Sequence, residues 1–197
     1  AAANRQLGLL APEQAEAIIQ AARSIMAGEH DDQFPVDVYQ TGSGTSTNMN
    51  VNEVISHLCA GQGTTVHPND HVNLGQSSND TIPTAIHLSA VEAVTGQLLP
   101  ALQHLDATLA TRQKELDQVV KTGRTHLMDA MPVTLGQEIG GWRSQLAFAV
   151  QGLRQARDGL LAIPQGGTAV GNGVNTHPDF AAIFARDLSE CTGYNFE

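Results

Sequence analysis

Apolar residues recur at three- and four-residue steps along most of this chain, and that period predicts helices. From Pro12 to Gly28, Ala15, Ile18, Ile19, Ala22, Ile25 and Met26 recur at helical spacing. Pro12 suits a first helical turn, and Gly28 supplies a C-terminal stop. The acidic piece Glu29 to Tyr39 is broken at Phe34-Pro35, and its alternating Val36 and Val38 predict a short extended segment at most. Met49, Val51, Val54, Ile55 and Leu58 predict a short helix closed by Gly61. Residues 84–119 predict a first long helix, with Leu88, Val91, Val94, Leu98, Leu102, Leu105, Leu109 and Leu116 in a heptad-like stripe, kinked or crossed near Pro100. A second long helix starts at Thr134-Leu135-Gly136-Gln137, which fits a capping box, and runs through Ile139, Trp142, Leu146, Val150, Leu153 and Leu160 to Ile163-Pro164. Gly136, Gly140 and Gly141 weaken it by about 1 kcal/mol each relative to Ala and are tolerable where another backbone comes close. A last helix, from Pro178 to Cys191, puts Phe180, Ile183, Phe184 and Leu188 on one face.

The expected fold is therefore all-α, a long-helix bundle with a smaller N-terminal helical region. Its division is expected as 1–80, part of an N-terminal domain with binding loops, and 81–197, part of a central bundle. Helices of about 30 residues run about 45 Å, longer than a chain of this size needs for its own bundle. Their stripes are expected to face other subunits.

Composition narrows the function classes. The chain has 197 residues, 41% hydrophobic and 15% charged, with a net charge of -10. It shows no basic footprint for nucleic acid or an anionic membrane, so an anionic ligand must be held by local donors. No apolar run approaches the roughly 18 residues of a membrane span, and no signal-like segment is seen. Cys59 and Cys191 have no metal-like spacing; reduced, buried thiols are expected, which suits a cytoplasmic protein.

The connectors between the helical segments hold the candidate chemistry. They are Thr41-Gly42-Ser43-Gly44-Thr45-Ser46-Thr47-Asn48, then His67-Pro68-Asn69-Asp70-His71 running into Gln76-Ser77-Ser78-Asn79-Asp80, and finally Lys121 to Pro132. Hydroxyl and amide side chains before a helix are strong N-caps, and first-turn N–H groups make an anion site that serves a carboxylate as well as a phosphate. Plain capping is the alternative for any one of them. The third connector gathers Arg124, Thr125, His126 and Asp129 within six positions, more than a turn between helices needs. A histidine satisfying local backbone groups is the bland reading of His126, and Arg124 could bind substrate or equally cap or pair with Asp129, so it is given no direct catalytic role. His57, His87 and His104 fall on helical patterns and read as structural or exposed. The glycine-rich stretch Gln165 to Asn175 follows a helix rather than a strand, so it is no dinucleotide or P-loop signature.

With Gly42-Ser43-Gly44-Thr45, His67-Pro68-Asn69-Asp70, Gln76-Ser77-Ser78-Asn79-Asp80, Gly123-Arg124-Thr125-His126 and Gly166-Gly167-Thr168-Ala169-Val170-Gly171 in this order, the sequence closely resembles the class II fumarases of the aspartase/fumarase superfamily. The resemblance covers essentially the whole chain. The aspartate ammonia-lyases share the Thr45 to Asn50 and His67 to His71 stretches, but typically have Gln at the position of His126 and Thr at that of Ser78.

The resemblance implies a mostly helical subunit, a homotetramer with a central helical bundle, active sites shared between subunits, and neither a metal nor an organic cofactor. It implies His126 as the acid/base. Ser43, Gly44, Thr45, Ser77, Ser78, Asn79 and Thr125 would bind the dicarboxylate, fumarate or malate, and His67, Pro68, Asn69 and Asp70 would form a second dicarboxylate site. The implied reaction is the hydration of fumarate in the tricarboxylic acid cycle. The family's Gly-Ser-Ser-x-Met-Pro-x-Lys-x-Asn-Pro loop is expected beyond residue 197, so the chain reads as the N-proximal part of a fumarase. By itself it is expected to self-associate without turnover. Residue chemistry agrees, because adding water across a double bond needs a proton acceptor for the water and donors for an aci-carboxylate-like intermediate. An imidazole, with a usual pKa of about 6.5, suits the first task.

Overall fold

The apolar stripes fold as helices α1 (Ala2–Gln6), α2 (Pro12–Met26), α3 (Thr45–Gly61), α4 (Ser78–Ala93), α5 (Leu99–Glu115), α6 (Leu135–Gly159) and α7 (Phe180–Thr192), with one antiparallel hairpin, β1 (Val120–Thr125) and β2 (Met128–Thr134), before α6. This computed structural model describes residues 1–40 and 42–197. Thr41, at the head of the first hydroxyl-rich connector, lies outside the described residues.

The chain divides into two units, Ala1–His87 with Leu161–Glu197, and Leu88–Leu160. Compared with the sequence boundary at residue 80, this partition puts 81–87 and the C-terminal segment with the first unit. In that unit Pro12 opens α2, and Gly28, at φ +78°, closes it: Gly28 N–H donates to the Ile25 carbonyl and Glu29 N–H to the Ser24 carbonyl. That is a Schellman stop, available because glycine takes the left-handed conformation without a Cβ clash. The core joins Ala15, Ile18 and Ala21 of α2 to Ile55 and Cys59 of α3, with Val66 and Val72. Burial pushes the Cys59 thiol up from its ordinary pKa. Cys191, in the last turn of α7, is exposed, against the expectation of two buried thiols. His57 and His104 are exposed, and half-buried His87 places Nδ1 3.0 Å from the Ala162 carbonyl, so that nitrogen carries the proton.

α3 is 17 residues, longer than the short helix expected, because it takes in Thr45 to Asn48 as its first turn. The first long helical run starts at Ser78 rather than residue 84 and ends at Glu115 rather than 119. A π-helical turn, Val94–Leu98, interrupts it just before Pro100. Proline lacks the N–H for the carbonyl four residues back and crowds it, and a widened turn relieves both. The helical run Ser78–Glu115 is long and apolar enough to cross a membrane by length and composition only. This differs from the expectation that no apolar run approaches a membrane span; Ser89, Glu92 and Gln97 lie within the stretch.

In the second unit, α6 is capped on all sides. Thr134 Oγ1 accepts from Gln137 N–H and the Gln137 side chain accepts from Thr134 N–H, both at 3.0 Å, the expected capping box. Leu135 N–H donates to the Val119 carbonyl and Gly136 N–H to the Leu116 carbonyl. The first-turn donors of α6 are thus consumed by Thr134 and by the segment just after α5, so this helix start offers no anion site. A Cβ on Gly136 would lie 2.7 Å from Asp117 Cα and 2.9 Å from the Gln113 carbonyl, both backbone atoms. Gly136→Ala should therefore destabilise the α5–α6 pair by about 1–3 kcal/mol, measured by denaturant unfolding, whereas Gly141→Ala, with open space around it, should stabilise slightly.

Further along, Arg143 forks onto Asp106, Nε to Oδ1 at 2.8 Å and Nη2 to Oδ2 at 3.1 Å, and Nη1 reaches Gln113 Oε1 at 3.0 Å. The Arg143 hydrogen bonds hold the Asp106 carboxyl below its ordinary pKa. A depressed carboxyl contributes stability present above its unfolded pKa of about 3.9 and lost as pH falls through the folded value. Asp106→Asn should accordingly flatten the acid limb of the pH–stability curve, as measured by melting below about pH 4.

The all-α expectation holds apart from the hairpin. Lys121 to Pro132, read from sequence as a loop, pairs Val120 with Thr134, Lys121 with Val133 and Thr122 with Pro132, then shifts register so that Arg124 faces Asp129. Gly123 sits at the irregularity, where a Cβ would come 2.6 Å from the Met131 carbonyl. The second long helix ends at Gly159, short of Ile163.

Candidate active site

In the first unit the N-termini of α3 and α4 are brought side by side. The N-cap of α3 is Gly44, at φ +67°, and it supplies no side-chain cap. A Cβ there would lie 2.8 Å from two carbons of Ile82, in the second turn of α4, so glycine is what permits the approach. The hydroxyls of Thr45, Ser46 and Thr47 therefore belong to the first turn of a helix rather than to the loop that caps it. Ser43 and Thr45 are exposed, with Thr45 Oγ1 donating to Ser43 Oγ at 3.3 Å.

Beside them, the start of α4 is built around Asp80. Asn79 N–H donates to Ser77 Oγ at 3.2 Å, Ser77 N–H donates to Asp80 Oδ1 at 2.9 Å, and Thr81 N–H closes on the Ser77 carbonyl. This is a reciprocal capping box with Asp in place of Glu. Ser77 and Ser78 are half-buried and Asn79 is exposed. A chain of amides ties this segment to α3: buried Asn48 and Asn52 both donate to Oδ1 of half-buried Asn73, at 3.3 and 3.2 Å, and Asn73 Nδ2 donates to the Gln76 carbonyl at 3.2 Å. The structure thus brings together Ser43, Gly44, Thr45, Ser77, Ser78 and Asn79. Sequence reasoning missed Asn48, Asn52 and Asn73 as supports. The available signal was Asn48 and Asn52, one helical turn apart and on the same face as Ile55 and Cys59.

The His67-Pro68-Asn69-Asp70 segment forms a single π-helical turn, Pro68–Val72, anchored by buried Val72. His67 Nδ1 accepts from the N–H groups of Asn69 and Asp70 at 3.3 and 3.2 Å, and His71 Nδ1 accepts from His67 N–H at 2.8 Å. Both rings therefore carry their proton on Nε2. Two of the turn's backbone donors are spent on the imidazole, and Asp70 Oδ2 lies 3.3 Å from His67 Nδ1. For a dicarboxylate this turn offers His67 Nε2–H beside a like-charged group.

Thr125 and His126 belong to the second unit, at the tip of the hairpin. His126 and Leu127 are its turn residues, at φ +49° and +61°, and Leu127 is 95% exposed. A two-residue turn of type I′ demands positive φ at both positions, and a branched apolar residue there stores strain of about 1–3 kcal/mol. Arg124 pairs with Asp129 at 3.3 Å across the strands, one of the alternatives the sequence left open.

A cavity of about 920 Å³ is lined by Glu29, His30, Asp32, Glu53 and His57 among others and by none of the site residues expected from sequence. Its three carboxylates would repel a dicarboxylate, so chemistry favours the α3–α4 junction over size. Among the described residues no group of three His, Cys, Asp or Glu side chains could hold a metal ion.

The sequence matches the lyase family over residues 1–197. The chain belongs to that family. It is 53% identical to the class II fumarate hydratase of Halobacterium salinarum over 202 aligned positions, spanning 100% of this chain and 43% of the relative. It is 54% identical to that of Mycobacterium tuberculosis, covering 96% of this chain and 40% of the relative. A solved class II fumarase from Schistosoma mansoni superimposes with a TM-score of 0.92 at 43% identity, over 98% of this chain and 42% of that one. This lyase chain therefore spans less than half the length of the curated relatives it matches.

Proposed function

We propose that the protein carrying this chain is a fumarate hydratase, interconverting fumarate and (S)-malate in the tricarboxylic acid cycle. The observation that carries the reading is the junction of α3 and α4: two helix starts held together by Gly44 against Ile82, presenting Ser43, Thr45, Ser77, Ser78 and Asn79. In a chain of net charge -10, such local donors are what can hold a dianion. The similarity to named class II fumarate hydratases supports the substrate class.

In the hydration direction His126 takes a proton from water as the water oxygen bonds to one alkene carbon. The electron pair of the double bond moves toward the carboxylate on the other carbon, which becomes aci-carboxylate-like and is stabilised by hydroxyl and amide donors. A separate acid then protonates that carbon, and no residue of these 197 is assigned that step. Thr125 sits beside His126 as a substrate donor. The His67 to Asp70 turn remains a second, weaker dicarboxylate site in this reading, offered through His67 Nε2–H. No metal or organic cofactor is invoked.

The reading includes a homotetramer with active sites shared between copies. It is supported by apolar side chains left exposed in the second unit, among them Trp142 at 51% and Phe148 at 80%. A cytoplasmic location is supported by two free cysteines. Loss of fumarate absorbance with malate formation by the complete protein, together with a tetramer mass by light scattering, is the expected result. Fumarate from aspartate instead would favour an ammonia-lyase of the same family. The isolated 197-residue chain should associate but not turn over, and malate conversion by it, purified free of host enzyme, would overturn that part.

A further inference from the structure

We propose that Asp80 is a positioning residue for the dicarboxylate site, fixing the amide of Asn79 in the orientation from which it donates to a substrate carboxylate; this rests on the fumarate hydratase reading. Asp80 is 1% exposed and spends both oxygens inside the protein. Oδ1 accepts from Ser77 N–H at 2.9 Å and from Thr81 Oγ1 at 3.4 Å, while Oδ2 accepts from Gly166 N–H at 3.1 Å and Thr168 N–H at 2.8 Å. It therefore touches no ligand. It joins the start of α4 to the glycine-rich loop some 86 to 88 residues away in sequence.

Separately, Asn79 Nδ2 donates to the Ala169 carbonyl at 2.8 Å. That bond decides which way the amide faces, because the flipped amide would set Oδ1 against a carbonyl oxygen. With one Nδ2 hydrogen on Ala169, the second is left to the exposed side of Asn79. Ala169 is fixed in turn because its neighbour Thr168 is anchored on Asp80. Gly166 and Thr168 are at φ +100° and +58°, and a Cβ on Gly166 would come 2.6 Å from Ala181 Cβ, so the loop is tightly constrained. The order of dependence is Asp80, then the Gly166 and Thr168 amides, then the Ala169 carbonyl, then the Asn79 amide.

Asp80→Asn keeps the shape but turns an NH2 toward backbone N–H donors, which displaces the loop. In the complete protein, KM for fumarate should rise about tenfold, since displacements of about 1 Å at a binding group cost that much or more. The value of kcat should fall less, and the pH profile of kcat should keep its shape because His126 is untouched. Ile18→Val, in the core of α2, supplies a control that lowers thermal stability without reaching the loop, and it should leave KM unchanged. If Asp80→Asn does not fold, Asp80→Ser, with room for a water, is read by the same criteria. KM within twofold of the parent overturns the inference, as does an equal KM rise in the Ile18→Val control. If the unaltered protein shows no fumarate hydration, the functional reading itself fails, and this inference falls with it by a different observation.

Discussion

Replacing His126 by Asn should lower kcat for fumarate hydration in the complete protein by about two to four orders of magnitude, the range general acid–base catalysis supplies, with little change in KM. The choice of Asn matters. His126 sits at φ +49° in the hairpin turn, and Asn is among the residues most at ease in the left-handed region. The substitution therefore keeps the turn and a polar side chain while removing the group that can accept a proton and give it back. Circular dichroism and melting should match the parent, so a lost rate reports chemistry rather than folding. Turnover within a few-fold of the parent would remove His126 from the mechanism.

The largest expected effect on stability is that of Phe180→Ala. Phe180 opens α7, is 2% exposed, and packs its ring 6.0 Å from that of Phe184. Truncating a buried phenylalanine removes its transfer free energy and leaves a cavity, together about 3–5 kcal/mol. Against a typical domain stability of about 5–15 kcal/mol that is a large share. The substitution also weakens the seat of the glycine-rich loop, because Gly166 packs on Ala181 in the first turn of the same helix. The urea midpoint should drop clearly, and susceptibility to proteolysis should rise in the loop at 165–175. A midpoint shift corresponding to less than about 1 kcal/mol would show that this core is already loosely packed.

The helices were legible in the sequence because helical periodicity is a local property. Pro12, Gly28 and the Thr134 to Gln137 capping box each act within one turn of the chain, and all three lie where the sequence puts them. The hairpin was not legible. Its two turn residues, His126 and Leu127, take positive φ without being glycine, and its strands have no buried face to impose alternation, so nothing in the local pattern marks it. The start of the first long helix was missed for a related reason: Ser78 to Asp80 look like loop residues until Asp80 is seen to close a capping box.

The sequence by itself determined the helical class, the acidic balance, the ends of α2 and the start of α6, and the hydroxyl- and amide-rich segments that resemble the fumarases. Tertiary structure alone decided which helix starts remain available. The start of α6 is consumed by carbonyls of Leu116 and Val119, whereas that of α3 is brought against α4 by the space a glycine leaves beside Ile82. It alone decided, too, that Asp80 is buried among backbone donors from a loop far along the chain. Hydrogen bonds between distant segments depend on where the backbone returns, and no local pattern of residues encodes that return.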